Sequence, residues 1–189
     1  AIFVEHNYTP KMRKITNEEL HRPSADEFAT MGRLPVVVVL DNVRSLHNVG
    51  SVFRTSDAFR VESIVLCGIT ATPPSVEIHK TALGAEDVVD WKYYESTMDA
   101  IDALRAGGYK VYSIEQCEGS IPLQSFATVP GERYAVVLGN EVKGVQQVVV
   151  DVSEGAIEIP QFGTKHSLNV SVTAGMVIWE FARKMGWVG

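Results

Sequence analysis

The chain has 189 residues, of which 46% are hydrophobic and 21% charged, and a formal net charge of −6. That is the composition of one globular domain with at most a short appendage, long enough to bury a real core. It excludes a surface that is a nucleic-acid clamp throughout, because phosphate neutralisation needs clustered Lys and Arg. Residues 1–60 nevertheless carry eight Lys/Arg against seven acids and the rest nine against sixteen, net +1 against −7, so a polyanion site should draw on the first third.

Residues 1–33 lack a sustained apolar period, and with Pro10 and Pro23 among them they read as an extended arm with one helical turn after Thr16. From Leu34 the pattern changes. The β-branched run at 35–40 predicts a strand covered on both faces, as in a parallel sheet. Asn48 is placed to cap a helix carrying Val49, Val52, Phe53 and Phe59, and 63–66 is the next strand. A less regular region after Thr72-Pro73-Pro74 leads to a short strand at 88–91, then a helix over 97–106 ended by Gly107-Gly108. Strands follow at 109–114, 134–138 and 156–159, and a last, deeply buried helix runs from near Ser167 to about Met185. Alternation of this kind predicts an α/β domain over 34–189 with a mainly parallel sheet flanked by helices, whose ligands sit beyond the carboxyl ends of the strands.

Two cysteines, Cys67 and Cys117, exclude a disulfide scaffold and a four-cysteine zinc site, and the absence of a signal-peptide pattern points to a reducing cytoplasm. The longest apolar runs, such as 36–40, are too short to cross a bilayer, so no membrane association is expected. The five histidines share no ligand spacing, and no metal site is expected. Asp41, Glu77 and Glu86 are candidate acids or bases that nothing in the sequence pairs.

Three strand-leaving segments carry the polar residues. Leu138-Gly139-Asn140-Glu141-Val142-Lys143-Gly144-Val145 has two glycines five apart after a strand, yet lacks the Lys-Ser/Thr that a P-loop needs after the second. In residues 159–172, Ser167 reads as a helix N-cap and Asn169 as an awkward first-turn residue. An Asn beside a Gly-containing loop at a helix start also suits a polar small molecule, and on these residues alone both readings stand.

Asn48-Val-Gly-Ser-Val-Phe-Arg54, then Leu138-Gly-Asn-Glu141 with Gly144, then Ile159-Pro160 with Ser167-Leu168-Asn169-Val170 resemble, in this order, the three motifs of the SpoU (TrmH) family of SPOUT-class methyltransferases. The resemblance covers residues 35–185. It implies a C-terminal deep trefoil knot, a homodimer with the active site near the subunit interface, S-adenosylmethionine as cofactor, and methylation of a ribose 2′-oxygen in structured RNA. It also implies roles: Arg54 as activator of the hydroxyl, with Asn48, Glu141, Ser167 and Asn169 completing the catalytic set. Gly139, Asn140, Gly144, Ile159, Pro160, Leu168 and Asn169 would hold the cofactor, with Glu115 at a strand end a further contact. Gln161 departs from the methionine many members carry there, and many members have an added RNA-binding domain where this sequence offers the arm.

Methyl transfer to a hydroxyl is an in-line displacement, so the chain must align the 2′-oxygen and remove its proton. Protonated Arg is a poor base, and Arg54 either stabilises a developing alkoxide electrostatically or is deprotonated transiently in place. Arg33, Arg44 and Arg54, with Lys11, Arg13, Lys14 and Arg22 on the arm, are the available phosphate contacts. A compact RNA is expected, transfer RNA ahead of ribosomal RNA. A knotted RNA-binding module without catalysis and a plain nucleotide-binding α/β domain are the competing readings; a module that had lost catalysis would not need Arg54.

Overall fold

The computed structural model describes residues 12–188, which divide into two compact units, one ending at Met31 and one beginning at Gly32. Lys11 lies outside the described residues.

The first unit is more structured than an extended arm. The turn expected after Thr16 is a 3-10 turn at Glu18–Leu20, where the Arg13 guanidinium pairs with Glu19 at 2.7 Å. That bond, helped by the Thr16 amide, holds the Glu19 carboxyl down at about 2. Helix α1 spans Ala25–Thr30. It starts at a capping box in which Ser24 and Glu27 each accept a hydrogen bond from the other's backbone amide, satisfying two donors the first turn leaves open.

The second unit is a seven-stranded sheet in the order β3-β2-β1-β6-β4-β7-β5, with every pairing parallel. Its elements, in chain order, are β1 Leu34–Asp41, α2 Leu46–Ala58, β2 Val61–Cys67, α3 Val76–Ala82, β3 Trp91–Tyr94, α4 Thr97–Ala106, β4 Tyr109–Ile114, β5 Ile121–Pro122, β6 Arg133–Leu138, α5 Gln147–Val152, β7 Gly155–Glu158 and α6 Val170–Lys184. Strand β1 shows why its sequence is uniformly apolar. Val36, Val38 and Leu40 join one core with α2, α3 and α6, while Val37 and Val39 join the other with α4 and α5. Burial of each such side chain stabilises the fold by roughly 1.5–3 kcal/mol.

The third strand lies at 91–94 rather than 88–91, because Ala85–Asp87 form a 3-10 turn that delays it. The region after Pro74 holds α3, capped by Ser75, and the segment after Gln146 holds α5. Neither helix is among the elements read from the sequence. From β1 the chain builds outward to β2 and β3, then crosses to β4 on the other side, so the strand order switches between β1 and β6. A parallel sheet opens a crevice at such a switch, beyond the carboxyl ends. The loops 42–45 and 139–146 flank it.

Candidate functional site

The loop leaving β1 turns through Asn42, whose backbone is left-handed at φ 55°, and enters α2 at Ser45. Ser45, not Asn48, is the N-cap: its hydroxyl accepts the Asn48 N–H at 3.3 Å. Three residues into the helix, Asn48 therefore has its side chain free for the neighbouring loops. Its Nδ2 donates to Glu141 Oε1 at 3.2 Å, and its Oδ1 accepts from Asn169 Nδ2 at 3.1 Å. One member from each of the three sequence segments thus meets in a single hydrogen-bonded chain.

Glu141 anchors that chain. Its Oε2 accepts the Arg44 amide at 2.9 Å and its Oε1 the Ser45 amide at 3.0 Å. Burial alone would push its carboxyl up, but these two amides and Asn48 outweigh it and hold the group below the usual carboxylate range.

Asn169, rather than Ser167, caps α6: its Oδ1 accepts the Ser171 amide at 2.9 Å and the Val172 amide at 3.3 Å. Ser167 lies two residues too early to reach those donors. It stands exposed on the wall of a cavity, with no side-chain hydrogen bond among the described residues.

That cavity has a volume of about 460 Å³. Its walls are the 138–144 turn, Glu115 with Gln116, the end of β7 through Ile159 and Gln161, and residues 166–170. The turn is closed on itself by Asn140 N–H to Gly144 O at 3.0 Å and the return bond at 2.9 Å. Asn140 braces it from within: Oδ1 accepts the Val142 amide at 2.9 Å, and Nδ2 donates to the Asn42 carbonyl at 2.7 Å. Glu115 pins its far end by accepting the Val145 amide at 2.9 Å. Both glycines are required by shape. A Cβ on Gly139 would fall 2.0 Å from the Gly144 carbonyl carbon, and one on Gly144, at φ +69°, would fall 2.1 Å from Glu115 Oε2.

Gly139, Asn140, Gly144, Ile159, Leu168, Asn169 and Glu115 all reach the cavity wall, whereas Pro160 does not. Arg54 is exposed on α2, away from that wall, and no hydrogen bond or ion pair to it is found among the described residues. Arg44 lies at the crevice, where a second hollow opens. Arg33 does not come to the site. It precedes β1 at the amino end of the sheet, with its guanidinium 3.9 Å from Asp90, because a parallel strand carries its two ends to opposite edges.

Other expectations are revised. Asp41, Glu77 and Glu86 each have partners: Glu77 joins His47 and Lys80, and Glu86 joins His79 at 2.6 Å. Asp41 is wholly buried and accepts from Asn42, Thr97 and Gln146 side chains and from the Gln146 amide at 2.9 Å. It ties the β1 end to the 139–146 loop, a role that only its place at a strand end hints at. Among the described residues no helix is long and apolar enough to cross a membrane.

Residues 35–179 match the model of the SpoU rRNA Methylase family. A protein of Staphylococcus haemolyticus named "Putative TrmH family tRNA/rRNA methyltransferase" is 31% identical over 82% of this chain and 61% of its own length. The 23S rRNA (guanosine-2′-O-)-methyltransferase RlmB of Neisseria meningitidis is 28% identical over 84% and 62%. The chain thus spans about three fifths of these relatives. The crystal structure of an AdoMet-bound rRNA methyltransferase from Sinorhizobium meliloti superposes with a TM-score of 0.73 at 27% identity, over 80% of this chain and 60% of that one.

Proposed function

The chain belongs to the SpoU rRNA Methylase family, and we propose from that premise that it transfers a methyl group from S-adenosylmethionine to a ribose 2′-hydroxyl of structured RNA. The observation that carries this is the hydrogen-bonded chain Glu141–Asn48–Asn169 beside a cavity walled by the glycine-containing 138–144 turn and residues 166–170. That cavity suits an adenosyl group. Leu138, Ile159 and Leu168 offer apolar walls, and the 139–144 turn offers peptide groups at close approach. Gly139, Asn140, Gly144, Ile159 and Leu168 would hold it, with Glu115 keeping the turn in place. Once bound, it supplies an activated methyl on a positively charged sulfur and a neutral leaving group.

The chain's own residues orient and polarise. Glu141 fixes Arg44, Ser45 and Asn48 at the start of α2, and Asn48 in turn orients Asn169 at the start of α6. Ser167, exposed on the wall, is placed to bond the acceptor ribose. Arg54 lies six residues beyond Asn48, some 240° around the helix axis, and so addresses a different group. We assign it to the acceptor side, stabilising the oxygen as its proton leaves. Trefoil threading of residues 159–169 is part of this proposal, as is a homodimer seated on the exposed α6 stripe of Val172, Met176 and Trp179. We place transfer RNA first as substrate, because the unpaired cations near the site are few and suit a small footprint; the RlmB relative makes ribosomal RNA the rival. An intracellular, cytoplasmic setting goes with either RNA.

The test is methyl transfer from radiolabelled S-adenosylmethionine to unmodified transcripts of transfer RNA and of ribosomal RNA fragments, followed by nucleoside digestion. A 2′-O-methylnucleoside in one transcript supports the assignment. Base methylation, or none in any RNA despite cofactor binding, refutes it.

A further inference from the structure

The Asn140–Gly144 turn has two sides. One walls the cavity described above, and the other walls a separate hollow of about 790 Å³ at the carboxyl ends of β1 and β2. Two features of this hollow stand apart from the rest of an acidic chain. Arg44 and Lys143 both line it, and neither side chain has an ion pair among the described residues. Ile69, Val142 and Val148 line it with 65%, 78% and 53% of their surface exposed, a concentration of bare aliphatic area that a monomer seldom leaves uncovered.

The acids nearby are each held by other donors and form no ion pair with either cation among the described residues. Asp41 is buried at the floor with four donors directed at it, and Glu141 is held by the Arg44 and Ser45 amides and by Asn48. Asp151, on the next turn of α5, accepts from Gln147 Nε2 at 2.7 Å. The hollow therefore presents two cations without an ion-pair partner among the described residues beside an aliphatic shelf, with the side-chain amides of Asn42 and Gln147 at its edge. A polyanion with flat apolar faces satisfies all three, since phosphates meet the cations, a base covers the shelf, and its edge meets the amides.

We propose that this hollow binds a nucleotide of the substrate RNA next to the methyl acceptor, with Arg44 and Lys143 holding its phosphates and Ile69, Val142 and Val148 carrying its base. This rests on the RNA methyltransferase reading above and adds Arg44, Ile69 and Val148, which belong neither to the cofactor cavity nor to the Asn48–Asn169 pair, while Val142 and Lys143 of the shared turn line both hollows. The Arg44 amide already bonds Glu141, so one residue joins the hollow to that pair. Specificity follows from it: the 2′-hydroxyl is the same on every ribose, and a base read one step away is a means of choosing among them.

The test uses the full chain and an unmodified transfer RNA transcript, with ribosomal RNA fragments in parallel. Affinity is measured across a salt series for wild type, for Arg44→Ala/Lys143→Ala and for Ile69→Ala/Val148→Ala, with a calorimetric melting curve of each as the check on folding. The cation variant should bind RNA about tenfold more weakly near 0.1 M salt, with a salt slope smaller by about two. The aliphatic variant should lose affinity with its slope unchanged, because it removes no phosphate contact. Wild-type affinity and slope in the cation variant would overturn the site while leaving methyl transfer intact, and would hand the hollow to a protein partner. RNA binding without methyl transfer by wild type would instead strike the catalytic reading and spare the hollow. A wild-type chain that binds no RNA would sink both.

Discussion

Replacing Glu141 with Ala removes the acceptor for the Arg44 and Ser45 amides and for Asn48 Nδ2. Hydrogen bonds to a charged group contribute about 1.5–3 kcal/mol each when shielded, but this carboxylate is only partly buried, and water replaces much of what is lost. A net cost of about 2–3 kcal/mol is the reasonable sum, which for a chain of this size lowers the melting temperature by about 4–12 °C. Glu141→Gln should fall between, since it keeps one acceptor oxygen but turns an amide NH₂ toward a donor. The pH dependence has a definite sign. The folded-state carboxyl sits below its ordinary value of 4.5, so its stabilisation is fully present above that value and fades as pH falls through the lower, folded one. The gap between wild type and Glu141→Gln should therefore close under acid. In single-turnover methylation at saturating RNA and cofactor, Glu141→Ala should slow the reaction by tenfold or more, because the loosened α2 start misplaces Asn48. Calorimetric melting at pH 7 and at pH 4 measures the first effect and rapid quench the second. Melting curves of wild type and Glu141→Ala that superpose at both pH values would refute the anchoring role.

Gly139→Ala should suffice to collapse the cofactor cavity, since its Cβ meets backbone rather than a movable side chain; titration with S-adenosylmethionine should show affinity down at least about tenfold, with about 1–3 kcal/mol of overpacking strain. Arg54→Ala should cut single-turnover methylation roughly a hundredfold with cofactor affinity unchanged, and Arg54→Lys should rescue little, because an ammonium lacks the planar fork; a defect cured by more RNA would reduce Arg54 to a phosphate contact. Trp179→Asp, on the exposed stripe of α6, should convert the dimer to monomer in sedimentation velocity, and a wild-type chain already monomeric at micromolar concentration would remove the dimer from the proposal. Deleting residues 1–22 should weaken RNA binding and flatten its salt dependence while sparing cofactor affinity; loss of cofactor binding would make the segment structural.

What is legible in this sequence follows from how local each signal is. The 97–106 helix and the 109–114 strand match residue for residue, because Ser96, Gly107-Gly108 and a run of β-branched and aromatic residues mark them from within. Helix α1 carried an equally local mark, Ser24 with Glu27 three residues on, which the search for apolar periodicity passes over. Helix α5 carried none: Val148-Val149-Val150 has the composition of a strand, and only packing of Val149 into the second core makes it helical.

The caps show the same limit inside the site. Ser45 and Asn48 are both good N-caps, as are Ser167 and Asn169, and the residues around them do not decide between the members of either pair. At α2 the decision is made at a distance. Glu141, 93 positions from Asn48, binds Asn48 and the amides before it, which leaves Ser45 to serve as cap. Motif order records which residues meet, since each segment leaves a parallel strand at the same edge of the sheet. It does not record which atom faces which. The second hollow is harder still to read, because Asp41, Asn42, Arg44, Ile69, Asn140 and residues 142–148 supply it jointly and none of these stretches is unusual alone. A site assembled from single residues on several strand ends has no linear signature, and the physics that reveals it is the imbalance of charge and exposed apolar surface left once the chain has folded.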